Sequence, residues 1–335
     1  MSKSKFAIAT LCAILLITYS CKKEGPGILN GLSRSFISTT GCNDTTTSFA
    51  PLNYGVGATT LDSIMIDTAR SFKLYVPSSY DSTEAHPMVI MFHGSGQSAQ
   101  KMIDNTTWSD EAETEGFIMV YPNAVKYLVD GSLKSKWRTE GTLAQVDPGV
   151  VMRDDIEFVK NMIKKIYGTL NINCNKIYAC GFSNGGNFIK SELRIHLDNA
   201  FAATASAGGM GSQSVMTPDH GRHMPHFELL GSKDANKLVA CGVPQLPFTS
   251  DSIINSPCVY DQLDSMRVSM SLDTNRIAID FGAPDVYAEL KWDNSTLAQN
   301  TEYKFIMLKG MTHVFPSRKW NVDYVPIIYA WFDSF

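Results

Sequence analysis

Lys176-Ile177-Tyr178-Ala179-Cys180-Gly181-Phe182-Ser183-Asn184-Gly185-Gly186 decides the fold. Lys176 to Cys180 reads as a short buried strand, and Asn187 to Leu197 reads as a helix. Between them stands the only Gly-x-Ser-x-Gly of the chain, at residues 181–185. In that setting the motif makes a sharp strand-to-helix turn that lifts the serine hydroxyl above a sheet. Small residues flank the serine because neighbouring chain must pass close to a strained turn. Ser183 also falls at a helix N-terminus, where developing negative charge is favoured. A plain glycine turn is the bland alternative, and the strand before and helix after weigh against it.

Working outward, Phe72–Val76, Met88–Phe92, Phe117–Tyr121, Ala202–Ser206, His226–Leu230 and Tyr303–Leu308 also read as strands. Ile156, Val159, Met162, Ile163, Ile166 and Tyr167 recur at helical spacing behind Asp154 and Asp155, which suit a helix start. Asp323 to Phe335 closes the chain as a helix. Such alternation predicts an α/β fold with a mostly parallel central sheet and helices on both faces. Ligands then gather at the carboxyl ends of the strands. Val239 to Met270 breaks the alternation. It is rich in Ser, Asp, Pro and Cys, and reads as an insertion near the site, in which Cys241 and Cys258 flank a loop-like segment and are placed to form a bridge.

A serine hydroxyl needs a base, and the base needs an orienting carboxylate. His313 follows the late strand Tyr303–Leu308 and is the expected base. His220, His223 and His226 cluster before or within a strand and read as surface or core residues. Asp234 follows His226–Leu230 and is the expected acid, with Asp280 and Asp285 as competitors. The oxyanion donors are expected to be the backbone N–H groups of Asn184 and Ser95, with Gly94 as the alternative to Ser95. His93 then braces its loop. This chemistry calls for no cofactor, and no Cys-x-x-Cys or His-x-x-x-His pair indicates a metal site.

The chain has 335 residues, with 29 Lys and Arg against 33 Asp and Glu, a formal charge of -4. That balance lacks the basic footprint of a nucleic-acid binder. Lys3, Lys5 and the apolar run Phe6–Ile17 read as an export signal over residues 1–20. Ending at Ser20-Cys21, it resembles a bacterial lipoprotein signal, which implies lipidation of Cys21 and a membrane link through that anchor only. Residues 21–53, rich in Gly, Ser, Thr and Asn, read as a tether, and 54–335 as the catalytic domain. Beyond Cys21 stand Cys42, Cys174, Cys180, Cys241 and Cys258, an odd number that leaves one unpaired within the chain.

Lys73-Leu74-Tyr75-Val76-Pro77, Phe92-His93-Gly94-Ser95-Gly96, Val120-Tyr121-Pro122, Asp154-Asp155, Tyr178–Gly186, Leu230–Asp234 and Gly310–Pro316 occur in the order of a known group. The chain resembles the feruloyl esterase, acetyl xylan esterase and polyhydroxybutyrate depolymerase family of α/β-hydrolases. The resemblance implies Ser183 as nucleophile, Asp234 as acid and His313 as base, acting on acyl or feruloyl esters of plant polysaccharide. The family often has a cysteine where Ser95 stands, and Gly-Gly-His-x-Trp-Pro where this chain has Met311–Pro316. Those departures bear on the substrate rather than the reaction. A polyhydroxyalkanoate esterase, a secreted peptidase and a non-catalytic glycan-binding lipoprotein are the rival expectations.

Overall fold

The computed structural model describes residues 54–209, 218–219, 221–282, 286–294 and 301–335. Residues 1–53, with Cys21 and Cys42, lie outside the described residues, as do His220 and Asp285. Along the chain come β1 (Ala58–Met65), β2 (Ala69–Val76), β3 (His86–Phe92), α1 (Ala99–Asn105), α2 (Trp108–Glu115), β4 (Ile118–Pro122), β5 (Lys126–Val129) and β6 (Ser132–Ser135). Next are α3 (Glu140–Leu143), α4 (Asp155–Tyr167), β7 (Ile172–Phe182), α5 (Asn184–Phe188), β8 (Ala203–Ala207) and β9 (His226–Gly231). The chain continues through α6 (Ala235–Cys241), α7 (Ser250–Ile254), α8 (Pro257–Ser269), β10 (Ile277–Phe281), β11 (Tyr287–Asn294), β12 (Thr301–Leu308) and α9 (Val325–Phe332).

Ten strands form one sheet in the order β1-β2-β4-β3-β7-β8-β9-β12-β11-β10. The six central strands, from β4 to β12, run parallel. An antiparallel pair flanks them at each edge. The central strands are apolar along nearly their whole length because both faces are covered. One face packs against α1, α2 and α9, through Met102, Trp108, Ile328 and Phe332. The other packs against α4 and the helix after the elbow, through Phe158, Met162, Phe188 and Leu193. Parallel strands place all their carboxyl ends on one edge of the sheet, so the loops after β3, β7, β8, β9 and β12 meet there.

The loop-like reading of the segment between Cys241 and Cys258 is corrected by the structure, which places α7 and the start of α8 there. The whole stretch 239–270 is largely helical, comprising the end of α6, α7 and all of α8, and Cys241 bonds Cys258 within it. Val259, Leu263, Met266 and Met270 lie on its buried side, in a third core with Leu290, Trp292 and Phe305 of β11 and β12. Thr249 caps α7 through a capping box with Ser252, and Pro257 opens α8. These starts use polar and proline residues, which is why composition read as loop. Cys180 is free and buried in β7.

Asp154 caps α4 by accepting from the Glu157 N–H at 2.9 Å. Asp155, the first residue of α4, pairs with Arg70 of β2 at 2.5 Å, and both side chains are buried. The Arg70 guanidinium also lies 4.0 Å over the Phe158 ring. The second Asp155 oxygen accepts from the Arg138 backbone N–H at 2.7 Å. Removing one partner leaves a buried charge unpaired, so Asp155→Asn should lower stability by about 3–5 kcal/mol. Arg70→Met combined with Asp155→Leu should recover at least half of that loss in urea denaturation. A single-variant loss near zero would contradict the pairing as the cause.

Candidate active site

The elbow is built by backbone against backbone. Ser183 sits between β7 and α5 at φ 51° and ψ −116°, a conformation that costs a non-glycine residue on the order of 1–3 kcal/mol. A Cβ on Gly181 would lie 2.6 Å from the Gly185 carbonyl carbon, and one on Gly185 would lie 2.4 Å from the Phe92 oxygen. Those contacts explain the glycines on both sides of the serine. The Ser183 N–H donates to the Ala207 oxygen of β8 at 2.8 Å, which fixes the turn to the sheet.

His313 lies on the loop after β12 and Asp234 on the loop after β9. The structure brings both to Ser183. His313 Nε2 is 2.9 Å from Ser183 Oγ, and His313 Nδ1 is 2.7 Å from Asp234 Oδ2. With a carboxylate acceptor on one side, Nδ1 carries the proton and Nε2 is left to accept from the serine hydroxyl. Asp234 is buried while His313 remains partly open to solvent. The other Asp234 oxygen accepts from the backbone N–H groups of Asn236 and Lys237, capping α6. Gly208 fits tightly beside the pair: at φ 62°, a Cβ there would meet His313 Nδ1 at 3.2 Å and Asp234 Oδ2 at 3.3 Å. The loops carrying Asp234 and His313 also clamp each other. Ser232 Oγ accepts from the Gly310 N–H at 2.8 Å, and the Lys233 N–H donates to the Met311 oxygen at 2.9 Å.

The competing residues stand elsewhere. Asp280 accepts from the Ser250 N–H and hydroxyl at the start of α7. His226 is buried between the hydroxyls of Thr204 and Ser206, and His223 meets Ser271. Burial holds the His226 imidazole well below the usual histidine range. His93 is buried in the loop after β3, donating from Nδ1 to the Gly94 oxygen and accepting on Nε2 from the Ala124 N–H. Burial pushes it down to about 4, so it is neutral at ordinary pH.

The loop carrying Gly94 and Ser95 lies against the elbow, since a Cβ on Gly94 would be 3.3 Å from Ser183 Cβ. The Gly94 N–H is taken by Gln97 Oε1 and the Gly96 N–H by the Ser135 oxygen. That occupancy separates Ser95 from Gly94. Ser95 is exposed, whereas the Gly94 donor is already spent.

Trp137, which the sequence reading did not single out, joins these two loops. Its backbone N–H donates to Asn184 Oδ1 at 2.7 Å, and its oxygen accepts from Asn184 Nδ2. Its indole N–H donates to the His93 oxygen at 2.9 Å. The ring is fully buried and stacks on Phe188. Tryptophan at a lone position carries no periodic signal; its position before Arg138, which bonds Asp155, becomes informative only in three dimensions. Among the described residues no cluster of three or more His, Cys, Asp or Glu is arranged to hold a metal ion.

Comparison with known proteins agrees with this architecture. The family described as Esterase PHB depolymerase matches residues 70–225. A bifunctional acetylxylan esterase/xylanase of Neocallimastix patriciarum is 27% identical over 168 residues, 49% of this chain and 21% of that protein. Feruloyl esterase B of Piromyces equi is 27% identical over 142 residues, 42% of this chain and 24% of that protein. This chain thus spans about a quarter or less of the length of those two relatives. The solved acetyl xylan esterase of Aspergillus awamori superposes with a TM-score of 0.51 at 14% identity, covering 82% of this chain and 99% of that one, and so shares the fold. The elbow strand and the ten-stranded sheet around it are those of an α/β-hydrolase, and over residues 70–225 the chain is similar to the Esterase PHB depolymerase family.

Proposed function

We propose that the chain hydrolyses carboxylic esters, with Ser183 as nucleophile, His313 as general base and acid, and Asp234 as the orienting carboxylate. The hydrogen-bonded relay from Asp234 to His313 to Ser183, at 2.7 and 2.9 Å, carries this reading. Ser183 Oγ attacks the ester carbonyl carbon while His313 Nε2 takes its proton. The tetrahedral oxyanion is received by the backbone N–H groups of Ser95 and Asn184. As the intermediate collapses, His313 protonates the departing alcohol, leaving an acyl-serine. Water then attacks the acyl carbon, gives its proton to His313, and the acid leaves with Ser183 restored. A non-catalytic glycan binder has no need of a buried carboxylate holding an imidazole against a strained serine.

The relatives named as feruloyl and acetylxylan esterases support acyl esters of plant polysaccharide as the substrate class. The same reading includes export, with residues 1–20 as the signal, Cys21 lipidated, 21–53 as the tether and 54–335 as the catalytic domain. Cys21→Ala should move the protein from the membrane pellet to the soluble fraction after cell fractionation. An unmodified N-terminus on the pelleted wild-type chain, read by mass spectrometry, would contradict the anchor.

Ser183→Ala should lower kcat/KM on 4-nitrophenyl acetate by about 10⁴ or more, and Asp234→Asn should lower kcat by about 10³–10⁴. Asp280→Asn, which touches only the start of α7, should cost less than about tenfold. Comparable losses from Asp234→Asn and Asp280→Asn would refute the acid assignment. Trp137→Phe removes the indole bond to His93 and loosens one donor loop against the other. It should lower kcat about tenfold to a hundredfold while KM changes little, because misplaced donors lose transition-state contacts first. A matched rise in KM with kcat unchanged would show that Trp137 shapes binding instead.

A further inference from the structure

Beside Ser183 lies a cavity of about 120 Å³ whose wall includes Gly208, Asp234, Asn236, Ala240 and Lys237. Lys237, in the first turn of α6, is 3% exposed, yet its Nζ has no hydrogen-bond partner. The carboxylates nearest to it are already committed. Glu228 of β9 is bonded by Lys190 Nζ at 2.6 Å and by the Tyr303 hydroxyl at 2.7 Å. Asp234 holds His313 on one oxygen and the N-terminal N–H groups of α6 on the other. A desolvated ammonium without a partner is unfavourable in an empty site, and it becomes favourable when a ligand supplies the counter-charge.

We infer that Lys237 is a specificity-determining residue that receives a carboxylate at the far end of a short acyl group, so that the enzyme prefers half-esters of a small dicarboxylic acid. The inference rests on the ester-hydrolase reading above and narrows its acyl side. Size argues for the same class. A volume of about 120 Å³ equals roughly four waters at ~30 Å³ each, room for about four or five non-hydrogen atoms. A succinyl chain has five beyond its reacting carbonyl, whereas an aromatic cinnamoyl-type group has many more. A small walled space suits the acyl part, since a polymeric alcohol must extend out into solvent. The charges facing Lys237 leave it a donor at neutral pH. Burial and Lys190 pull its ammonium down to about 8, against the opposing pull of Glu228 and Asp234. It therefore keeps its proton at pH 7 and loses it as pH rises beyond about 8.

The test compares monomethyl succinate with dimethyl succinate and methyl acetate, following methanol release. At pH 7 the wild-type enzyme should favour the half-ester over the diester at least tenfold in kcat/KM. That preference should fade as pH rises from 7 to 9, while the acetate rate keeps its own profile. Lys237→Met should abolish the preference and raise the melting temperature, because it removes an unpaired buried charge. A residue kept only for structure would lower the melting temperature and leave the ratio unchanged. If the wild-type enzyme cleaves methyl acetate but shows no preference for the half-ester, the inference is overturned and the esterase reading stands. If methyl acetate is not cleaved either, both fall. Should Lys237→Met not fold, the wild-type pH series decides, and a preference that stays constant from pH 7 to 9 overturns the inference.

Discussion

The approach of Gly185 to the Phe92 carbonyl governs the rest of the molecule. No side chain can stand where the start of α5 crosses the end of β3, so the elbow and the loop after β3 are locked at backbone distance. With that contact made, Ser183 is forced to positive φ and its hydroxyl rises from the sheet edge. The strain is tolerated because the strand behind it is held on both sides. Tyr178 to Gly181 pair in register with β3 and Tyr178 to Phe182 with β8, and buried side chains cover both faces. A loosely packed sheet would relax the turn and lower the Ser183 hydroxyl.

From that crossing, polar order spreads outward through a short chain of contacts. Asn184 grips Trp137 by both its amide groups, Trp137 reaches back to His93, and the next residue, Arg138, rests on Asp155. Asp155 in turn neutralises Arg70 in the antiparallel edge of the sheet. Buried charges of this kind add little net stability, but they penalise every alternative arrangement that leaves one unpaired. The segment between β6 and α4 has little regular structure, so hydrogen bonds and the buried Trp137 ring, rather than secondary structure, set its position.

Much of this was legible in the chain because the central strands are continuous apolar runs and each is followed by glycine or a polar turn. Ser183, His313 and Asp234 were readable from their places after such runs, and the structure puts them within hydrogen-bond reach of one another. What stayed hidden had other causes. The β5–β6 hairpin carries Asp130-Gly131, both at positive φ, a strong turn signal whose flanking strands are only four residues long. In α8 the buried residues 259, 263, 266 and 270 have helical spacing, but Ser, Asp and Cys between them outweighed it in a composition-led reading. The edge strand β10 is exposed at every residue, and β1 alternates only between exposed and half-buried residues, so burial writes little contrast into either. Trp137 acts through partners distant in sequence, and the burial of the Lys237 side chain comes only with the fold, so nothing local marks either residue.

Lys237 shows where stability and selectivity pull apart. Its backbone N–H helps to cap Asp234, a role that any residue except proline fills, whereas its side chain is buried with no bond in return. An apolar side chain at that place would pack against the third core without the cost of desolvation. The Lys190–Glu228–Tyr303 cluster next to it is satisfied internally, so the neighbouring charges do not call for a second ammonium. The unpaired cation is therefore not needed by the fold, and it stands in the wall of a cavity that reaches both Ser183 and Asp234. Strain at Ser183 and an unmatched charge at Lys237 thus sit at the same edge of the sheet, where the parallel strands end and the flanking cores supply the rigidity that tolerates both.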